Sequence, residues 1–152
     1  MRVCIGGTFD NLHKGHKKLI KKAIESAGKN GFLFIGLTTD SFIKSKENAN
    51  SYEIRKNNLE SYLKKMKYCN NIEIKPIKDK FGPTLKDDFD IIVVSPESYK
   101  TAVEINEKRK KIGKKPIKIV KIPFVLAEDN KPISSTRIRN NEVDSEGIPI
   151  KD

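Results

Sequence analysis

The chain has 152 residues, 36% hydrophobic and 34% charged, with a formal net charge of +11. Length and composition predict one domain spanning 1–152 with a real core and exclude a disordered chain. The longest apolar runs, "FLFIGL" and "DIIVVSP", fall far short of the roughly 20 residues that cross a bilayer, so no membrane-spanning helix is expected.

The positive charge comes from 26 Lys and only 5 Arg. Readers of bases and phosphates rely on Arg for bidentate contacts, and single-strand binders add aromatic platforms. Here the Lys runs "KKLIKK" and "EKRKKIGKK" interrupt helical patterns, as solvated helix faces do. A Lys-rich surface that draws in anionic substrates is the expectation, with no nucleic-acid partner and no membrane partner. Cys4 and Cys69 form no CxxC pair and read as free thiols. With no signal-peptide pattern ahead of the first apolar segment, a cytoplasmic protein is expected.

Residues 2–6, "RVCIG", read as a short strand. From His16, the positions Leu19, Ile20, Ala23, Ile24 and Ala27 form the i, i+3, i+4 stripe of a helix packed on a sheet. "GKNG" closes that helix with a glycine signal. "FLFIGLTTD" is an apolar run of strand length, and "SYEIRKNNLESYLKKM" is a second helix with Tyr52, Leu59, Tyr62, Leu63 and Met66 inward. "IEIKPI" alternates as a strand does, and "FDIIVVSP" carries the strongest β signal in the chain. "SYKTAVEINEKRKKIG" supplies a third helix, "IKIVKI" a further strand, and "ISSTRIRNNEVD" the start of a last helix.

Strands alternating with helices imply right-handed βαβ crossovers. The predicted fold is α/β, a single doubly wound parallel sheet with helices on both faces. Ligands of such sheets bind beyond the carboxyl ends of the strands. Four loops belong to that edge: "GGTFD", "LTTDSF", "SPES" and "IPFVLAEDNKPISST".

Common nucleotide motifs are absent. No GxGxxG follows the first strand, and "GFLFIGLT" has the two glycines of a P-loop but Leu37 where its lysine belongs. His13 and His16 are the only two histidines, with no paired cysteines to complete a zinc site, so no protein-held metal is expected. What remains fits phosphate handling. Gly6 and Gly7 permit a sharp turn and a close backbone approach, and Gly15 keeps space between the histidines. A helix starting near Lys14 offers unpaired N–H groups to an anion, and two imidazoles beside it can donate to phosphate oxygens. "ISSTRIR" sets Ser134, Ser135 and Thr136 at another helix start, with Arg139 about a turn away.

"GGTFDNLHKGH" and "ISSTRIR" together resemble the paired signatures of the HxGH nucleotidyltransferases. "GLTTDSFIKSKEN", "VVSPES", "INEKR" and "AEDNKPISSTRIR" extend the resemblance to the archaeal phosphopantetheine adenylyltransferases, over essentially the whole chain. One departure is Ser98, where the family pattern has Thr; both carry a hydroxyl. The resemblance implies a Rossmann-like fold. It also implies transfer of an adenylyl group from ATP to 4′-phosphopantetheine, giving dephospho-coenzyme A and pyrophosphate, with Mg²⁺ accompanying ATP.

Carried over by position, the resemblance makes His16 the donor to the α-phosphate and His13 a holder of the triphosphate. Thr8 and Lys44 become contacts to the acceptor phosphate, with Lys44 bridging toward the reacting centre. Ser134, Ser135 and Thr136 become β- and γ-phosphate binders and Arg139 the motif arginine. Gly7 and Phe9 make close backbone contacts to ATP. The nucleophile would be a phosphate oxygen, already ionised at neutral pH, which matches a sequence with no evident Ser–His–Asp set. Transfer to FMN or to a glycerol- or sugar-type phosphate by another member of the superfamily is the alternative, followed by a basic nucleic-acid-binding module. Oligomeric state is not readable from the sequence.

Overall fold

The computed structural model describes residues 1–43, 49–66, 71–123, 138 and 146–148. Five strands and three long helices are formed by these residues. They are β1 (Arg2–Gly7), α1 (Lys14–Ala27), β2 (Phe32–Thr38), α2 (Tyr52–Lys65), β3 (Asn71–Ile77), β4 (Ile91–Val94), α3 (Tyr99–Lys111) and β5 (Lys118–Lys121). All strand pairings are parallel, in the order β3-β2-β1-β4-β5. The predicted doubly wound α/β sheet is therefore observed. "ISSTRIRNNEVD" falls outside the described residues except for Ile138, which is helical.

The chirality of the crossovers explains the layering. From β1 the chain moves outward through β2 to β3, then returns to the other side of β1 and moves outward again through β4 and β5. Right-handed connections running in opposite directions place their helices on opposite faces. Strand alternation divides the side chains accordingly. Val3, Ile5, Leu33, Ile35 and Leu37 pack with Leu19, Ile20, Ala23 and Ile24 of α1 and Leu59 of α2. Cys4, Ile92 and Val94 pack with Ala102 and Ile105 of α3.

Two local differences from the sequence reading bear on the site. The connection from β3 to β4 contains no helix; residues 78–90 run as turns, with Asp79 Oδ1 accepting from the N–H groups of Phe81 and Gly82 at 2.9 and 2.8 Å. Within "EKRKKIGKK", the lysines of α3 face solvent but Arg109 is buried. Its guanidinium donates to the carbonyls of Thr84, Asp87 and Lys115 at 2.7, 3.1 and 2.7 Å and to Asp88 Oδ1 at 2.9 Å. A side chain with five donors and no acceptor suits a connection whose carbonyls have no ladder to join. Arg109 thus substitutes for the missing secondary structure.

Candidate active site

The edge formed by the carboxyl ends of β1, β2 and β4 gathers five of the predicted residues. Gly7 ends β1, and Thr8 and Phe9 follow it. The backbone does not turn at the glycines: Gly6 and Gly7 continue the strand, paired with Gly36 and Leu37 of β2. The sharp bends lie at Phe9 and Asn11, both at φ 48°. Left-handed backbone at a non-glycine residue is costly and persists only where surroundings enforce it. Here Asp10, buried, accepts from Asn50 N and Nδ2 at 3.1 and 2.8 Å, and Arg55 holds the Thr8 carbonyl at 3.0 Å. Gly7 contributes space. A Cβ there would stand 3.2 Å from the ring of Phe9, which is itself buried.

His13 and His16 serve first as helix caps. His13 is the N-cap of α1, and its Nδ1 accepts from the N–H groups of Gly15 at 3.0 Å and His16 at 3.3 Å. His16, at the third helical position, returns its own Nδ1 to the His13 N–H at 3.3 Å. This is a capping box with imidazoles in both places. A nitrogen that accepts a backbone N–H carries no proton, so each neutral ring holds its proton on Nε2. The rings stack with centroids 3.7 Å apart, and the Phe9 ring lies 5.2 Å from that of His16. Burial pushes the His13 pKa down to about 4. Burial, then the neighbouring His13, pushes His16 down to about 3. At neutral pH the pair is uncharged and offers two Nε2–H donors at the start of a helix.

On the sheet face that carries α3, a cavity of about 380 Å³ opens at the same edge. Its floor is apolar, with Cys4, Phe34, Ile92 and Ile105, and the 78–90 connection forms one wall through Phe81. Polar groups stand among its lining residues: Thr8, Thr38, Lys80, Glu97 and Ser98. The floor thiol is inert, since burial pushes the Cys4 pKa up to about 12. A site of this size with an apolar interior and a few polar groups suits a small molecule.

Sequence reasoning overlooked the buried polar network behind Thr8. Arg55, on α2, is 1% exposed and donates to the carbonyls of Asn50 and Thr8, to Thr38 Oγ1 and to Asp40 Oδ1. The available signal was periodicity, because Arg55 falls on the inward stripe between Tyr52 and Leu59. Lys44, Ser134, Ser135, Thr136 and Arg139, predicted for the same site, lie outside the described residues. Glu146 is described, and its carboxylate pairs with Lys17, the neighbour of His16, at 3.2 Å. Among the described residues no three acidic, His or Cys side chains gather into a metal cage, and no helix is long and apolar enough to cross a membrane.

A cytidylyltransferase-like family model matches residues 4–141. A phosphopantetheine adenylyltransferase of Methanosarcina mazei is 48% identical over 151 residues, covering 96% of this chain and 95% of its own. This chain belongs to the phosphopantetheine adenylyltransferase family. A second such relative, from Archaeoglobus fulgidus, is 45% identical with 97% and 98% of the two chains covered. Among solved structures, a protein of unknown function from Archaeoglobus fulgidus superposes with a TM-score of 0.73 at 42% identity, covering 80% of this chain and 89% of that one. A pantoate-beta-alanine ligase from Francisella tularensis shares the fold at 17% identity, with a TM-score of 0.59 over 91% of this chain and 65% of that one. Membership in the phosphopantetheine adenylyltransferase family agrees with the resemblance drawn from the two sequence signatures.

Proposed function

We propose that this chain transfers the adenylyl group of ATP to 4′-phosphopantetheine, releasing pyrophosphate and forming dephospho-coenzyme A in coenzyme A synthesis. One observation of the site supports this most. The loop from Thr8 to His13 joins a neutral two-imidazole donor pair to a half-apolar cavity at one sheet edge. Such a site suits a substrate that is phosphate at one end and uncharged along the rest. In this reading the acceptor phosphate meets Thr8 and Lys44, and its arm enters the cavity.

An oxygen of the acceptor phosphate attacks the α-phosphorus of ATP in line. The new O–P bond forms as the bond from the α-phosphorus to the bridging oxygen breaks, and pyrophosphate leaves with that electron pair. The attacking oxygen is already ionised, so no side chain has to remove a proton. Catalysis then rests on positioning and on donors aimed at developing charge. His16 Nε2–H donates to the α-phosphate, and His13 Nε2–H holds the triphosphate. Ser134, Ser135, Thr136 and Arg139 bind the β- and γ-phosphates, while Gly7 and Phe9 bring backbone close to ATP. Mg²⁺ accompanying ATP would neutralise charge on its phosphates, with no dedicated set of protein ligands among the described residues. The Lys17–Glu146 pair supports convergence of the two signatures, since it returns the C-terminal part of the chain to α1 beside His16.

The test is pyrophosphate release with ATP or CTP against a panel of 4′-phosphopantetheine, FMN and glycerol 3-phosphate. Release with ATP and phosphopantetheine alone is expected. Release only with CTP, or only with another acceptor, refutes the assignment. Ser135→Ala is expected to weaken ATP binding in calorimetry, and an unchanged affinity would refute its triphosphate role.

A further inference from the structure

Thr8 does not stand alone at the mouth of the cavity. Thr38, at the end of β2 and 4% exposed, donates from Oγ1 to Thr8 Oγ1 at 3.0 Å. Behind Thr38, Arg55 Nη1 approaches the same Thr38 oxygen at 3.4 Å and the Thr8 carbonyl at 3.0 Å. Arg55 is itself fixed: Nε donates to the Asn50 carbonyl at 2.9 Å, and Nη2 donates to Asp40 Oδ1 at 3.1 Å. Asp40 Oδ1 also accepts from the Tyr52 N–H at 2.9 Å.

The direction of this chain follows from chemistry. A guanidinium donates and never accepts. The Thr38 oxygen, facing that donor, takes the acceptor role toward Arg55 and spends its single proton on Thr8. The Thr8 oxygen is then an acceptor toward Thr38, so its own proton points elsewhere. Among the described residues nothing accepts that proton, and Thr8 lines the cavity. The result is a hydroxyl with its donor end fixed toward the ligand and a buried positive charge behind it. Without Thr38, the Thr8 hydroxyl rotates freely and its orientation is lost.

We infer that Thr38 and Arg55 are positioning residues. They form a one-way donor relay that sets the Thr8 hydroxyl to donate to the acceptor's phosphate. This rests on the reading that the acceptor is a phosphorylated pantetheine whose phosphate meets Thr8. It adds that selection for the phosphate is made two residues behind the contact. Burying a guanidinium against a carboxylate that is itself largely exposed costs desolvation and gains little as an ion pair. A relay gives that burial a use beyond holding a loop.

The experiment is calorimetric binding of 4′-phosphopantetheine and of unphosphorylated pantetheine to the full-length protein. The ratio of the two Kd values isolates the phosphate contact. Wild type is measured first; if it shows no preference for the phosphorylated ligand, the acceptor reading itself fails, before any variant is made. Thr38→Val keeps the shape and removes the relay. It is expected to lower the preference about tenfold, the size of one hydrogen bond to a charged group, with pantetheine affinity held within about twofold. Thr38→Ser restores the hydroxyl and is expected to recover the wild-type ratio. An unchanged ratio in Thr38→Val overturns the relay. So does an equal loss for both ligands, which would make Thr38 a structural support only. Should Thr38→Val not fold, Thr38→Ala is read by the same ratio and the same criteria. Thr8→Val supplies the cycle: in that background, Thr38→Val is expected to cause no further loss of preference, and an additive loss overturns the proposal.

Discussion

Replacing His16 with alanine tests whether a neutral imidazole is the donor to the reacting phosphate. Its Nδ1 is committed to the His13 N–H at 3.3 Å, which leaves Nε2–H as the donor. Loss of one such preorganised donor lowers kcat by about 10²–10³-fold, roughly 3–4 kcal/mol of transition-state stabilisation. The fold loses less, about 1 kcal/mol, for one member of the capping box. The assay is pyrophosphate release at saturating substrates from pH 5.5 to 8.5. Because burial holds His16 at about 3 and His13 at about 4, neither ring changes charge in that range. A rise in rate through pH ~6 belongs to the second ionisation of the acceptor phosphate, and it persists in the alanine variant. Wild-type turnover in His16→Ala would refute the donor role. A limb near pH 6.5 present in wild type and absent from the variant would refute neutrality, since it would mean that the imidazole titrates during turnover.

The same depressed values predict a pH dependence of stability. The folded pKa of each ring lies below its unfolded value of 6.5, so the unfolded chain binds more protons between those limits. The stability linked to neutral rings is complete above pH ~6.5. It is lost as pH falls toward about 4 for His13 and about 3 for His16, at roughly 1.4 kcal/mol per unit per ring. The chain has no other histidine. Urea midpoints between pH 7.5 and 5 should therefore fall less steeply in His13→Asn, which keeps a side-chain acceptor at the N-cap; an identical slope refutes the linkage. Gly7→Ala, whose Cβ would meet Phe9 at 3.2 Å, should cost about 1–3 kcal/mol by overpacking and lower kcat by displacing the ring beside His16. Phe9→Leu in the same chain should relieve the stability loss, and no relief would place the strain elsewhere. Arg109→Met should destabilise by about 3–5 kcal/mol, because it strips donors from two carbonyls of the 78–90 connection, Thr84 and Asp87, and from that of Lys115. Arg109→Lys should recover less than half of that in urea unfolding, because a single ammonium cannot reproduce the fork.

Most of the fold was legible because periodicity and length agree in each element. Leu19, Ile20, Ala23, Ile24 and Ala27 recur at helical spacing and are all buried against the sheet. "DIIVV" reads as a strand buried on both faces, and Ile91–Val94 is buried throughout. The order of the strands was not legible, since alternation of strand and helix permits several windings. The helix-free passage from β3 to β4 was not legible either, because it is held by Arg109 from far along the chain rather than by local pattern. Arg55 and Arg109, both buried, occupy inward stripe positions, Arg55 between Tyr52 and Leu59, and Arg109 after Ala102 and Ile105. A charge on an apolar stripe is a specific signal that a guanidinium is gathering carbonyls, and composition-level reasoning about a basic surface conceals it. The glycine pair permits a turn by composition but continues strand β1. The bend falls instead on Asn11, a type that tolerates left-handed backbone, and on Phe9, whose strain its residue type does not announce.

In the histidine pair, each ring carries both the capping role, on Nδ1, and the donor, on Nε2. Serine or asparagine would cap α1 as well as imidazole does, and either would satisfy the helix alone. Imidazole differs in having a second nitrogen about 2 Å beyond the first on a rigid ring. When Nδ1 accepts the helix N–H groups, the proton is confined to Nε2, and the ring cannot swing without breaking the cap. The stabilising bond therefore also selects the tautomer and aims the donor. Burial then keeps both rings neutral, so that stacking at 3.7 Å brings no charge repulsion. In the proposed reaction, neutral donors would favour charge that develops during transfer over charge already present in ATP. A lysine at either position would bind the polyanion more strongly in its ground state and would hold no helix N–H. The double use of Nδ1 and Nε2 is thus the physical reason for histidine at both ends of this capping box.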